Sequence, residues 1–473
     1  MALARRRRPS IAVVLAVALA SSGLVFAAPR LGPPAEAAAR GGAPNVLIIV
    51  TDDQRHDAMK PLRDTRRLIA RRGVKFPHAY TTTPTCCPAR ASIFTGRYAH
   101  NHDVRTNDGT TTENLDHTTT LQAYLQEAGY RTALFGKYLN GWDTDSPPPY
   151  FDHWAFFSGH ARGYYYGNHW NVDGQRRFIE AYSTRFIQRQ ALDFIGSAEA
   201  RRRPWLTYLT TAAPHAPFTP QPKYRRAQVP EFEPNPAMME EDRTDKPPYV
   251  QEVTRGLHRG KRVQKGQLRT LLSVDDMVEA VFAELKRTGQ ASNTLVFFLS
   301  DNGYMHGEHR LTGKTTPYLP SVRIPMLLRV PGQIQPGTTD DRLVANIDVA
   351  PTVMDAVGLE PPQDPPMDGR SLLDRTWARD HLLLEYFRRV NRGTPEWGAT
   401  LTKEDQYVEY YEDGGRINAT FREYYNLVLD PFQLENYLGN DDPSDDPLTF
   451  PLRARQLDQD RDCMGTSGGN ACP

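Results

Sequence analysis

Apolar positions in this chain cluster into short continuous runs rather than long amphipathic stripes. Asn45-Val-Leu-Ile-Ile-Val50 is aliphatic and β-branched throughout, the pattern of a strand buried on both faces of a mostly parallel sheet. Polar residues follow at once as Thr51-Asp52-Asp53-Gln54. A second run, Leu295 to Leu299, follows a helical stretch near Asp275 to Thr288 and ends in Ser300-Asp301-Asn302-Gly303. The same reading predicts a helix near Leu121 to Ala128 and strands near Arg131 to Phe135, Trp205 to Thr210 and Pro325 to Val330. Strands alternating with helices predict an α/β fold, a large mixed, mostly parallel sheet sandwiched by helices. The Pro-rich stretch Pro220 to Lys265 is expected to be a long surface loop or lid. After Gly358, Glu-Pro-Pro-Gln-Asp-Pro-Pro reads as a connector. Aromatic and β-branched residues from His381 to Leu429 then predict a smaller C-terminal α+β domain built on an antiparallel sheet.

Residues 1–40 read as a signal peptide and spacer, with basic Arg5 to Arg8, apolar Ile11 to Ala20, and small residues near Ala27-Ala28 or Ala35 to Ala39 for cleavage. A membrane anchor is the alternative, but the apolar run is short and broken by Ser21-Ser22-Gly23. The expectation is a secreted, extracellular protein without stable membrane insertion. With 57 Lys+Arg against 56 Asp+Glu, no global basic field is available to hold nucleic acid, so any anion must be met by a local site. Cys463 and Cys472, in a Gly/Ser/Thr-rich tail, can close a small loop in an oxidising compartment. Cys86 and Cys87 are adjacent and cannot join each other without strain.

Both acidic pairs lie at the carboxyl ends of strands, the edge where open α/β sheets bind ligands. Asp52, Asp53, Asp301 and Asn302 supply hard oxygen donors, which suit Ca²⁺ or Mg²⁺ rather than zinc. Alone they decide little, because Asp at a strand end often caps the next helix.

The segment Thr81-Thr-Thr-Pro-Thr-Cys86-Cys87-Pro88-Ala89-Arg90-Ala-Ser-Ile-Phe-Thr95-Gly96-Arg97-Tyr-Ala-His100-Asn101-His102 changes that. Its Cys-x-Pro-x-Arg core followed by Thr-Gly-Arg resembles the signature of the formylglycine-dependent sulfatases, which have the alkaline-phosphatase-like superfold. The resemblance implies that Cys86 is oxidised after synthesis to formylglycine, with a formylglycine-generating enzyme as a maturation partner. A hydrated aldehyde has one oxygen to attack the sulfur of a sulfate ester and another to expel sulfate by re-forming the carbonyl, an exit that serine lacks. The other reading of Cys86 is a small buried hydrophobe.

The resemblance runs along nearly the whole mature chain. Gly136-Lys137-Tyr-Leu-Asn140-Gly141 is similar to the family's lysine segment, Ala213-Pro214-His215-Ala-Pro217-Phe to its histidine segment, and Leu311-Thr-Gly313-Lys314 to its second lysine segment. It implies that Asp52, Asp53, Asp301 and Asn302 hold the metal beside residue 86. Lys137 and Lys314 contact the sulfate, His215 donates to the leaving alcohol, and Arg90 supports the modified side chain. Many sulfatases carry a histidine two residues after the first lysine, where this chain has Leu139. His100, His102 and Asn140 are candidates to replace it, and His306 and His309 are candidates to line the pocket.

Within the family these segments most resemble the branch of N-acetylglucosamine-6-sulfatase and the heparan 6-O-endosulfatases. The implied substrate is therefore a sulfated carbohydrate such as an amino sugar. Gly163-Tyr-Tyr-Tyr-Gly-Asn-His-Trp-Asn-Val-Asp-Gly174 is similar to an aromatic stretch of that branch, readable as sugar-stacking or as strand packing. The basic stretch Arg255 to Arg269 reads as an anion-attracting or merely solvated face. Similar segments near Pro351, Gly369 and Asp430 support a catalytic domain over 44–375, a C-terminal subdomain over 376–455 and a tail over 456–473. The rivals are a phosphonate or phosphate ester hydrolase of the same superfold, and a glycan-binding relative in which Cys86 stays a thiol.

Overall fold

The computed structural model describes residues 42–473 apart from 158–162, 254–256, 389–392, 413–415, 417, 441 and 445. The expected signal peptide lies outside the described residues. The first predicted strand is β1 (Asn45–Thr51), every residue of it buried. It pairs in parallel with β8 (Thr294–Ser300) on one side and β7 (Trp205–Thr210) on the other. β7 pairs in parallel with β3 (Arg131–Lys137), and β3 with β4 (His153–Phe157). These five strands, which run in one direction, are the core of a ten-stranded sheet.

Beyond β8 the sheet continues through β9 (Met326–Arg329), β2 (Val74–Lys75) and β10 (Thr338–Thr339). Beyond β4 it ends in an antiparallel hairpin, β5 (Asn168–Val172) and β6 (Gln175–Ile179). Alternate side chains of β1 feed two cores. Val46, Ile48 and Val50 pack with Ile93 and Phe94 of α1 (Cys86–Thr95). Leu47 and Ile49 pack with α2 (Ser183–Gly196) and α3 (Leu257–Arg287). Apolar surface on both sheet faces is covered by helices, as parallel pairing requires.

The expected helix near Asp275 to Thr288 is the second half of the 31-residue α3. The loop expected over Pro220 to Lys265 is accordingly shorter, because its last residues already form the start of α3. Val263, Leu268 and Leu271 are buried there at helical spacing. Interleaved basic residues masked this amphipathic pattern in the sequence.

The C-terminal region forms a four-stranded antiparallel sheet of β11 (Leu382–Tyr386), β12 (Glu396–Leu401), β13 (Asp405–Tyr411) and β14 (Phe421–Asn426). Helix α4 (Phe450–Asp460) packs on it through Leu457. Cys463 and Cys472 form the disulfide allowed by their spacing. No helix among the described residues is long and apolar enough to cross a membrane.

A buried ion pair ties this region to the rest of the chain. Arg379 donates Nη1 and Nη2 to the two oxygens of Asp348 at 2.9 and 2.8 Å. The carboxylate also accepts the backbone N–H of Ala345 and Arg370. Arg379→Met strands a buried charge and is expected to cost about 3–5 kcal/mol in urea denaturation. An unchanged midpoint would refute this account of the pair.

Candidate active site

Five elements converge at the carboxyl edge of the parallel strands. The register of β1 on β8 sets Thr51 opposite Ser300, so the residues that follow each strand meet. Asp53, held at a positive φ of 68°, donates its backbone N–H to Asp301 Oδ1 at 3.1 Å. The Asn302 N–H donates to the same oxygen at 2.8 Å, and Asn302 Nδ2 donates to Asp53 Oδ1 at 2.7 Å. The two acidic pairs are thus cross-braced, as their strand-end positions predict.

Cys86 begins α1, whose residues are all buried, and the helix ends at Gly96 in the left-handed region. The orphan N–H of Cys87, in the first turn, donates to Asn107 Oδ1 at 2.8 Å. Further along the same helix, Arg90 donates Nε and Nη2 to Asp301 Oδ2 at 3.0 and 2.9 Å, and Nη1 to the Lys137 carbonyl at 3.0 Å. One guanidinium therefore fixes both a strand-end carboxylate and the end of β3. Lys137, fully buried, donates to Asp52 Oδ2 at 2.5 Å. Gly136 before it lies at φ +122°, where an added Cβ would fall 1.9 Å from the Thr210 carbonyl oxygen. Only glycine lets β3 approach β7 so closely there.

Lys314 comes from a different region. Its ammonium contacts Asp53, lies 2.7 Å from Cys86 Sγ and 3.4 Å from Asn302 Oδ1. The segment after it is gripped by the C-terminal sheet. Trp397 Nε1 donates to the Thr315 carbonyl, Gln406 Nε2 to the Pro317 carbonyl and the Tyr318 hydroxyl to Glu423, each at 2.8 Å. His215 follows β7 and places Nε2 3.7 Å from Asp53 Oδ2, while Nδ1 donates to the Ala216 carbonyl at 2.8 Å. All nine site residues expected from the sequence therefore lie in one connected cluster.

The candidate replacements for the missing histidine do not join it. Leu139 is buried in the core. His100 pairs with Glu385 at 3.1 Å and His102 bonds Ser92 at 3.0 Å. The Asn140 backbone N–H donates to Cys87 Sγ at 3.0 Å. His309 pairs with Glu240 at 2.7 Å. His306 bonds Gln267, whose amide donates to the Asp53 carbonyl, so it stands one residue behind the site.

Sequence reasoning missed Tyr164. Its ring packs edge-on against His215 with centroids 5.0 Å apart and lies 5.6 Å from the Lys137 ammonium. The signal was the aromatic stretch Gly163 to Gly174, which does not form an exposed stacking platform. Trp170 is buried against Phe157 and Phe186, and the Tyr165 hydroxyl donates to the His215 carbonyl.

Burial opposes charge on Asp52, yet Lys137, His215, Arg90 and Lys314 outweigh it and hold the carboxyl well below the usual carboxylate range. Burial and the Asp52 carboxylate push the Cys86 thiol up to about 11, despite two nearby lysines. At neutral pH the sulfur is thus a protonated thiol and a poor nucleophile. Three carboxylates face three cationic side chains, so a bound divalent cation leaves the pocket positive overall. The donor set fits such an ion. Ligand atoms of Asp52, Asp53, Cys86 and His215 lie within 4.8 Å of one another, and the Lys314 ammonium contacts Asp53 and Cys86 among them. Asp301 stands outside that tightest group, its oxygens engaged by Arg90 and two backbone N–H groups.

The sulfatase family model matches residues 44–359, two thirds of the chain. The chain belongs to the sulfatase family, whose members hydrolyse sulfuric esters. A model described as N-sulphoglucosamine sulphohydrolase, C-terminal, matches residues 307–460. The sulfatase is 31% identical over 457 residues to N-acetylglucosamine-6-sulfatase of Homo sapiens, covering 85% of this chain and 82% of that one. It is 36% identical over 367 residues to the extracellular sulfatase SULF-1 homolog of Drosophila melanogaster, covering 72% of this chain but 32% of the fly protein. Among solved structures, BT4656, in complex with its substrate D-glucosamine-2-N,6-O-disulfate, superposes with a TM-score of 0.77 at 22% identity, covering 88% of this chain and 97% of that one. The fold is the alkaline-phosphatase-like one that the resemblance implied.

His102 supplies a pH test of the scaffold under α1. Burial pushes its imidazole down to about 3, whereas the unfolded chain titrates near about 6.5. Between these values the unfolded state binds the extra proton, so stability falls as pH drops below about 6.5 and levels off above it. His102→Gln is expected to lessen the loss of melting temperature between about pH 7 and pH 5. Parallel profiles for the two proteins would rule this out.

Proposed function

We propose that the sulfatase is a secreted enzyme that removes sulfate esters from amino sugars or glycosaminoglycan-type glycans, of the N-acetylglucosamine-6-sulfate kind. The observation that carries this reading is the meeting, at the Cys86 Sγ, of the Lys314 ammonium at 2.7 Å and the Asp52 carboxylate at 3.5 Å, in a pocket that suppresses the thiolate. Such a pocket suits an oxygen nucleophile better than sulfur. The amino-sugar relatives and the extracellular fly relative support the substrate class and the location.

When present, a hydrated formylglycine at position 86 supplies the attacking and expelling oxygens, and a Ca²⁺ or Mg²⁺ ion offsets charge at the sulfuryl group. In this reading Asp52, Asp53, Asp301 and Asn302 hold the ion. Lys137 and Lys314 bind sulfate oxygens from two directions. Arg90 keeps Asp301 and the β3 terminus in place. His215 has Nδ1 committed to the Ala216 carbonyl, which leaves Nε2 to face the pocket and donate a proton to the leaving alcohol. Cys86 is 1% exposed, so bulk water is largely excluded from the reacting centre. A formylglycine-generating enzyme acts before the mature fold closes, and the catalytic and C-terminal portions meet near residue 376.

Cys86→Ala is expected to abolish turnover of N-acetylglucosamine-6-sulfate with an unchanged circular dichroism spectrum. Peptide mass spectrometry of the wild-type chain from its native source should find the aldehyde at position 86. Retained activity, an unmodified thiol in active protein, or a large preference for aryl phosphate over aryl sulfate would each defeat the proposal.

Chelator treatment is expected to lower both turnover and melting temperature, because buried carboxylates lose a partner bound only by the folded state. Ca²⁺ or Mg²⁺ should restore both. A melting temperature indifferent to chelator would exclude a resident ion at these donors.

A further inference from the structure

The first turns of α3 carry a cationic surface that the fold itself does not use. Arg259, Lys261, Arg262 and Lys265 are exposed, and none forms an ion pair among the described residues. From His258 to Val274 the helix carries no acidic residue. Lys261, Arg262 and Lys265 share one side of the helix by their spacing, opposite buried Val263 and Gln267. Positive charge at this end of a helix also opposes the macrodipole. Stability therefore does not account for the arrangement.

Its position does. Gln267, on the opposite side, anchors the helix beside the site by donating its amide to the Asp53 carbonyl at 3.3 Å. Gly266 abuts Phe218 of the loop that carries His215, close enough that an added Cβ would come within 2.8 Å of the Phe218 Cβ. On the other side of this surface the Arg269 guanidinium donates to the Ala227 carbonyl at 3.1 Å, fixing the loop that bears exposed Arg225 and Arg226. From Lys265 to Arg259 the helix spans about 9 Å along its axis at 1.5 Å per residue.

We propose that this surface binds the sulfated sugars beyond the reacting residue, so that the preferred substrate is an extended polyanionic glycan rather than a free monosaccharide. The proposal rests on the sulfatase reading above and specifies its substrate. Lysine and arginine contacts of this kind raise encounter rate and affinity for a polyanion and weaken with salt. Monosaccharide turnover does not engage them.

The test is the triple variant Lys261→Gln, Arg262→Gln, Lys265→Gln, which keeps good helix formers at all three positions. Against a heparin-derived tetrasaccharide ending in N-acetylglucosamine-6-sulfate, KM at low salt is expected to rise about tenfold and its salt dependence to flatten. KM and kcat for the monosaccharide are expected to stay unchanged. Equal effects on both substrates, or none on either, would overturn the proposal. Retention on immobilised heparin, measured without turnover, is expected to drop in the variant. If the wild type turns over neither sugar, the reaction assignment fails, while the retention result still judges the surface. Unchanged retention, or equally strong retention of the wild type on duplex DNA, would overturn the glycan assignment.

Discussion

The parallel pairing of β1 with β8 is the constraint on which the site depends. Residues 52 and 301 are 249 positions apart in the chain, a separation that no local turn can close. The register that sets Thr51 beside Ser300 fixes the two acidic pairs at one height of one edge. A slip of one residue would turn every side chain of β1 to the opposite face. The opposite packing of Val46, Ile48 and Val50 against Leu47 and Ile49 forbids that slip. Apolar burial in the two cores thus locates charged groups that contribute nothing to either.

Bringing those groups together is costly, since three buried carboxylates repel one another and lose hydration. The chain offsets this with three cations delivered from separate elements, Arg90 from α1, Lys137 from β3 and Lys314 from just after the antiparallel pairing of residues 305–306 with 312–313. Arg90 answers two demands at once, because its fork meets Asp301 while its remaining nitrogen meets the end of β3. A lysine could not span both acceptors with fixed geometry. The same balance explains why the Cys86 sulfur, although it touches a lysine, gains no thiolate character: the nearer consequence of burial beside Asp52 prevails.

Strand ends and signature residues were legible in the sequence because each is a local pattern, an apolar run followed by acids or a short fixed spacing. All five strands of the parallel core but β4 could be read in this way, and the nine expected site residues fell into one cluster. The start of α3 was not legible, since its apolar residues are interleaved with basic ones and prolines precede it. Tyr164 was visible only as part of an aromatic stretch in which Tyr165 and Trp170 are buried as it is, and nothing local separates a ring beside His215 from a ring in the core. His100 and His102 stood close to the signature in sequence, yet α1 ends at Gly96 and the chain then turns toward Glu385. Proximity along the chain is a poor guide once a helix intervenes.

The C-terminal sheet enters the chemistry through Lys314. This lysine is not on the large sheet, and the residue after it, Thr315, adopts a positive φ of 78°. A non-glycine residue there is strained and persists only where its surroundings over-determine it. The surroundings are Trp397, Gln406 and Glu423, on three different strands of the second sheet, each holding a neighbouring group of the same segment. Removing that sheet would leave the first sheet with its carboxylates assembled and one of its three balancing cations free to swing away. The site is therefore a joint product of both sheets: the large one assembles the anions, and the small one keeps the last cation opposed to them.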